Sequence, residues 1–276
     1  MKAKEINTRF LDLAPWLDRG KSVDRVIAGD PEKDIRFCMV TWISSMMACK
    51  TAIERGADML ITHEPTFYEH WDKSQTEEAS LTKAKRRFIN DSGLVILRIH
   101  DVWDCYPELG IPWAWARFIG MGPKPVSGTD APAARETTVQ GIQRPSTMFR
   151  YDIDPTTAGE LAHRVASRTA DLGEPKVQFI GEENAIVSKI GIGTGCLCWP
   201  ASFMELGCDC SVVCDDGTSY WRSLQYAEDA GHPVIRVNHG TAEEPGMMTM
   251  AKYINDNMPG VRAEYLPHRP AFRVVG

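Results

Sequence analysis

The chain has 276 residues, 43% hydrophobic and 25% charged, with a formal net charge of -6. This length allows one large domain or two modest ones with a sizeable core, and the acidic excess argues against a nucleic-acid binder held by charge. Met1-Lys2-Ala3-Lys4-Glu5 leads into no signal-like apolar run, and the nearly apolar stretch from Cys38 to Cys49 is broken by Thr41, Ser44 and Ser45 and is too short to span a bilayer. A cytoplasmic protein with no nucleic-acid or membrane partner is expected.

Residues 6–17 read as an amphipathic helix carrying Phe10, Leu11, Leu13 and Trp16, followed by a turn-rich stretch at 28–32. Residues 35–42 read as a strand, and Ser44 or Ser45 caps a helix that runs to about Arg55 and stops at Gly56. Met59-Leu60-Ile61 is a buried strand that ends in Thr62-His63-Glu64-Pro65, where the proline disfavours helix at Glu64 and withdraws a backbone donor. Strand, helix and strand make a βαβ unit, expected to be parallel. A helix from about Glu77 to Asn90 precedes a third apolar strand, 94–99, which ends in His100, Asp101 and Asp104. Residues 112–120 read as helical, and the Gly-, Pro-, Ser- and Ala-rich stretch 122–134 marks a domain boundary.

A second module opens with a strand at 148–153 and a helix starting at Asp154-Pro155. Strands follow at 177–180 and 186–192, then a turn with Gly191, Gly193 and Gly195 before a helix at 201–206. The turn is no dinucleotide fingerprint, because Cys196 stands at the last position of the G-x-G-x-x-G spacing. A strand at 211–213 ends at Cys214, Asp215 and Asp216. After a further helix comes a strand at 233–237 that ends in Asn238-His239-Gly240, then a helix at 243–257 and a last strand at 261–266. Five of the eight cysteines crowd at 196, 198, 208, 210 and 214. Their i, i+2 pairs are closer than structural zinc ligands usually stand, and on a strand they share one face, so they read as small core residues.

Three strand ends thus carry ligand types: His63 with Glu64, His100 with Asp104, and His239 with Glu243. Imidazoles and carboxylates suit zinc, iron or manganese, and so many are too many for one tetrahedral ion with an open site. They fit two divalent ions with a carboxylate bridge.

These three motifs, in this order and spacing, resemble the Nif-like (NGG-interacting factor) dinuclear metal proteins, some of which are described as type 2 GTP cyclohydrolase homologues. The supporting pattern runs from about Ser22 to Pro267. The resemblance implies two α/β lobes, with the dinuclear site in the crevice between them: residues 1–130, 131–233, and a segment 234–276 that returns to the first lobe. It implies that His63, Asp104, His239 and Glu243 are metal ligands, with Glu243 as the bridge. Glu64 stands where many members have a second histidine, and His100 aligns with a histidine near the metals. Val213-Cys214 replaces the family's threonine-glycine before Asp215. A homohexamer is implied as well.

Two ions with an open face favour hydrolysis. The expected activity is cleavage of a C–N bond, amide or cyclic amidine in type, in a small and flat heterocyclic substrate, with Glu64, His100 and Glu243 as catalytic groups. His70, His100 or His232 would shuttle the proton, and Phe67, Tyr68, Trp71, Trp103, Trp113 and Trp115 would wall the pocket. A phosphoester hydrolase and a non-catalytic metal-binding hexamer are the alternatives, although no phosphate cradle is visible.

Overall fold

The computed structural model describes residues 1–73, 79–129, 138, 139 and 141–275. The chain divides into two compact units, Met1–Tyr106 with Val139–Gln143 and Met247–His268, and Pro107–Thr138 with Arg144–Gly246 and Arg269–Gly276. Each is α/β and built on its own sheet.

The first unit contains α1 (Ala3–Asp12), β1 (Arg25–Ala28), β2 (Phe37–Ile43), α2 (Met46–Glu54), β3 (Met59–Glu64), α3 (Ser80–Ser92), β4 (Val95–Arg98) and α4 (Asp101–Cys105), and its last strand is β13 (Arg262–Tyr265). The sheet order is β1-β4-β3-β2-β13, parallel except for β1. Residues 37–41, 59–63 and 95–98 are buried without a break, as expected of parallel strands covered on both faces. Ser45 caps α2 by accepting the Ala48 N–H, and Gly93, in the left-handed conformation, ends α3. Because β3 and β4 are parallel and pair Thr62 with Arg98, their carboxyl ends lie side by side. This register puts His63 and His100 on one edge.

The second unit contains α5 (Ile111–Phe118), β5 (Ser127–Thr129), β8 (Met148–Thr157), α6 (Ala158–Thr169), β9 (Gln178–Ile180), β10 (Ile186–Ile192), α7 (Pro200–Glu205), β11 (Cys210–Cys214), α8 (Gln225–Asp229) and β12 (Val234–Val237). Its sheet runs β5-β8-β10-β11-β12-β9, with β10, β11 and β12 parallel. Two short strands, β6 (Thr138–Val139) and β7 (Ile142–Gln143), pair separately. The residues of α9 (His239–Asn257) are divided, 239–246 falling in the second unit and 247–257 in the first.

Several elements differ from the sequence reading. The division between the units falls at Tyr106 and Pro107, because Trp113, Trp115, Ala116 and Ile119 of the α5 region join the core of the second unit. Asp154-Pro155 does not open a helix. The strand continues to Thr157, whose hydroxyl accepts the Glu160 N–H while Glu160 reaches back to the Thr157 N–H, so the capping box fixes the start at Ala158. The last helix begins at His239 rather than 243, because Asp215 accepts the His239 N–H at 2.6 Å. β1 and α4 went unread; α4 is a single short turn held by a residue far away in sequence. Part of the helix expected from Glu77 lies outside the described residues. No helix among the described residues is long and apolar enough to cross a membrane.

Candidate metal centre

At the carboxyl edge of β3 and β4, His63 is fully buried and its Nδ1 lies 3.2 Å from the carbonyl oxygen of Ile99. With Nδ1–H donating to that carbonyl, the lone pair sits on Nε2, as a metal ligand requires. Nε2 lies 3.4 Å from Oδ1 of Asp104, and the His63 ring stacks on His100 with centroids 4.5 Å apart. Ligand atoms of His63, His100 and Asp104 all lie within 4.8 Å of one another. Glu64 ends the strand, its Oε1 3.9 Å from Nε2 of His100. Two imidazoles and nearby carboxylates, with a backbone carbonyl fixing one tautomer, are a donor set that fits a divalent transition ion.

α4 carries Asp104 into this cluster. Its amino end is capped by Asp24, whose Oδ1 accepts the N–H of His100 and of Asp101, and whose Oδ2 accepts that of Val102. Burial, then the neighbouring Asp101, push the Asp24 carboxyl up to about 6 against these backbone hydrogen bonds. Burial alone would lower His100, but Asp104, the hydrogen bond His100 donates to Asp101, and Glu64 outweigh it and raise the imidazole to about 10. Burial also opposes the ionisation of Asp101, yet its hydrogen bonds from His100, Ser22 and Val23 hold it below the usual carboxylate range.

Beneath the same edge, fully buried Arg98 donates from Nε to the His63 carbonyl at 2.9 Å and from Nη1 to the His70 carbonyl. Its guanidinium lies 3.9 Å from Glu64 and 3.8 Å from Asp72. His70 is thereby brought edge-on to His100, with centroids 6.0 Å apart. Burial, then Arg98 and His100, lower its pKa and keep it neutral at pH 7.

In the second unit, His239 and Glu243 stand one turn apart on α9, with Nε2 and Oε2 3.0 Å apart, and Glu243 is buried. Gly195 has φ +60°, and a Cβ there would stand 3.3 Å from Oε1 of Glu243 and 3.6 Å from Nε2 of His239. The glycine-rich turn is therefore close against this pair. Cys214 and Cys198 hold the turn from behind, each Sγ donating to the Gly195 carbonyl at 3.1 Å. Four of the five crowded cysteines, Cys198, Cys208, Cys210 and Cys214, are buried core residues, whereas Cys196 is exposed; burial pushes the Cys208 and Cys210 thiols up to about 12.

The expected aromatic wall is largely absent. Phe67, Trp103, Trp113 and Trp115 are buried: Trp103 packs among Phe10, Tyr106 and Tyr253, and Trp113 packs on Phe149. These side chains fill cores because their area is worth more there than at an edge. Only Tyr68 and Trp71 of the six are exposed. His232 does not stand free to shuttle protons; its Nε2 is 2.7 Å from the buried Ser211 hydroxyl. Asp24 and Arg98 escaped the sequence reading. Asp24 acts 76 to 78 residues from its partners, and Arg98 stands inside the apolar run 94–99, where one charged residue gives no pattern of its own.

Fold and site together define a two-unit α/β protein with histidine–carboxylate clusters at strand ends. The chain belongs to the Duf34/NIF3 (NGG1p interacting factor 3) family, whose pattern it matches over residues 1–268. It is 23% identical, over 94% of its length and 93% of the relative's, to a Clostridium perfringens protein named GTP cyclohydrolase 1 type 2 homolog. Its fold is similar to that of a Staphylococcus aureus protein at 16% identity, with a TM-score of 0.80 over 100% of this chain and 99% of the other. It is also similar to a Bacillus cereus protein described as related to NIF3, at 12% identity and a TM-score of 0.76, over 100% and 99% of the two chains.

Proposed function

We propose that the protein is a metal-dependent hydrolase that holds two divalent ions per chain, zinc, iron or manganese, and cleaves a C–N bond of amide or cyclic amidine type in a small heterocyclic molecule. His63, Glu64 and Asp104 are the ligands assigned in the first unit, and His239 and Glu243 those in the second. The observation that carries the reading is His63, a fully buried imidazole whose Nδ1 is taken by a backbone carbonyl and whose Nε2 faces Asp104 and His100. The name of the Clostridium perfringens relative supports a cyclohydrolase-type reaction.

Bound divalent ions supply Lewis acidity and acidify water near neutral pH. The chain's own groups manage the protons. Glu64 and His100, 3.9 Å apart, are spaced to pass one through a single intervening water, and Glu243 offers a buried carboxylate. His70, kept neutral beside His100, is placed to accept or return it. By family likeness the assembly is a homohexamer.

Metal analysis of the purified protein, with a screen of cyclic amides and amidines, tests this. Two ions per chain are expected, with His63→Ala and Glu243→Ala each losing metal affinity by about 100-fold and activity with it. Full metal content in both variants would show that the ligands are misassigned. Two ions without turnover of any C–N substrate would leave a metal-binding protein that is not this hydrolase.

A further inference from the structure

A cavity of about 350 Å³ opens within the second unit at the carboxyl end of β12, at the small end of the range for ligand pockets. Its polar lining is unevenly satisfied. Both oxygens of Glu174 accept the Asn238 N–H, at 3.0 and 3.1 Å, and Asp215 accepts the His239 N–H, so both acids are turned to backbone donors. The cations are not matched to them. Arg236, paired across the sheet with Gln178, gives Nη1 to that side-chain oxygen at 2.6 Å and Nη2 to the Asp215 carbonyl at 3.3 Å. Its Nε–H is buried and has no partner among the described residues, and no carboxylate there forms an ion pair with it. Lys176 also lines the cavity and makes no hydrogen bond or ion pair among the described residues. The rest of the lining includes Val177, Val237, Phe272 and Val274.

We propose that this cavity binds a small organic carboxylate, its anionic group against Arg236 and Lys176 and its apolar body against Val177, Val237, Phe272 and Val274. A guanidinium already held at two nitrogens is fixed in place, so an incoming oxygen gains a charge-assisted hydrogen bond at little ordering cost. The apolar half of the lining distinguishes a carboxylate with a hydrocarbon body from a bare inorganic anion, which would leave that surface uncovered. None of the metal ligands named above lines the cavity.

The full chain, treated with a chelator, is titrated with benzoate, neutral benzamide and inorganic phosphate, and binding is read by calorimetry and by the shift in Tm. Benzoate should bind saturably and raise Tm, with benzamide at least about tenfold weaker, as the loss of one charge-assisted hydrogen bond implies. Lys176→Met and Arg236→Met should each weaken benzoate by about tenfold. Lys176 is exposed, so its variant decides the matter if the arginine variant does not fold. His63→Ala should bind benzoate as the wild type does, which separates this result from the fate of the metal reading. Absence of benzoate binding, equal binding of benzamide, binding of phosphate alone, or benzoate affinity unchanged in the variants would each overturn the proposal.

Discussion

Raising the pH should destabilise the metal-free protein through His100. Its folded-state pKa of about 10 lies above the ordinary value of 6.5, so the folded chain holds the proton more tightly than the unfolded one. The stabilisation is therefore complete below pH 6.5 and is lost as the pH rises through 10. The gap is about 3.5 pH units at about 1.4 kcal/mol each, a ceiling of about 5 kcal/mol. The side chain is 19% exposed, and water reaching it reduces the realised loss to about 2–3 kcal/mol. For a chain of this size that is a fall in Tm of about 5 °C. Thermal melts of chelator-treated wild type and His100→Gln, taken from pH 6 to 10, isolate this contribution from other titrating groups. Wild type should lose stability more steeply than the variant, and the two curves should converge near pH 10. Parallel curves would refute the assignment of His100 as the charged partner of Asp104, Asp101 and Glu64.

Asp24→Asn keeps the shape of the cap but turns an acceptor for the Val102 N–H into a donor. A loss of about 2 kcal/mol is expected, with faster amide exchange confined to residues 100–105, and urea unfolding with exchange mass spectrometry would measure both. Gly195→Ala forces a side chain into the left-handed region and places its Cβ 3.3 Å from Glu243. It should cost about 1–2 kcal/mol of stability and weaken metal uptake together, and a variant unchanged in both would mean that the turn does not bear on His239 and Glu243.

The parts of the fold that were legible in the sequence are those governed by local pattern. Met59-Leu60-Ile61 and residues 94–97 announce buried strands, and Ser45 and Gly93 mark helix ends by their side-chain chemistry or lack of it. The site residues His63, His100 and Asp104 were visible because they interrupt apolar runs at the carboxyl ends of neighbouring parallel strands, where the register must bring them together. What stayed hidden depends on distance along the chain. α4 is too short to show a helical period, and it exists because Asp24 satisfies three backbone donors from across the unit. The aromatic residues between the motifs misled for the opposite reason. Trp103, Trp113 and Trp115 are near site residues in sequence, but burial decides where they go.

Glu64 and Arg98 explain each other. The cluster holds carboxylates at 64, 101 and 104 around two histidines, and such a set is stable without an ion only if cations offset it. His100 supplies one, at 3.9 Å from Glu64, and Arg98 supplies another at the same distance from the other carboxylate oxygen. The two cations differ in kind. An imidazolium must lose its proton before it can ligate a metal, whereas a guanidinium keeps its charge under all conditions. An ion in the proposed centre would compete with the His100 charge for Glu64 and Asp104, while Arg98 stays in place. A histidine at position 64, as the resemblance would have it, would meet a buried guanidinium and gain nothing from it. A glutamate there gains a fixed counter-charge, its Oε2 3.9 Å from Arg98 and its Oε1 3.9 Å from His100. Arg98 thus serves Glu64 together with the His63 and His70 carbonyls and Asp72, one buried cation holding the strand end and the segment after it.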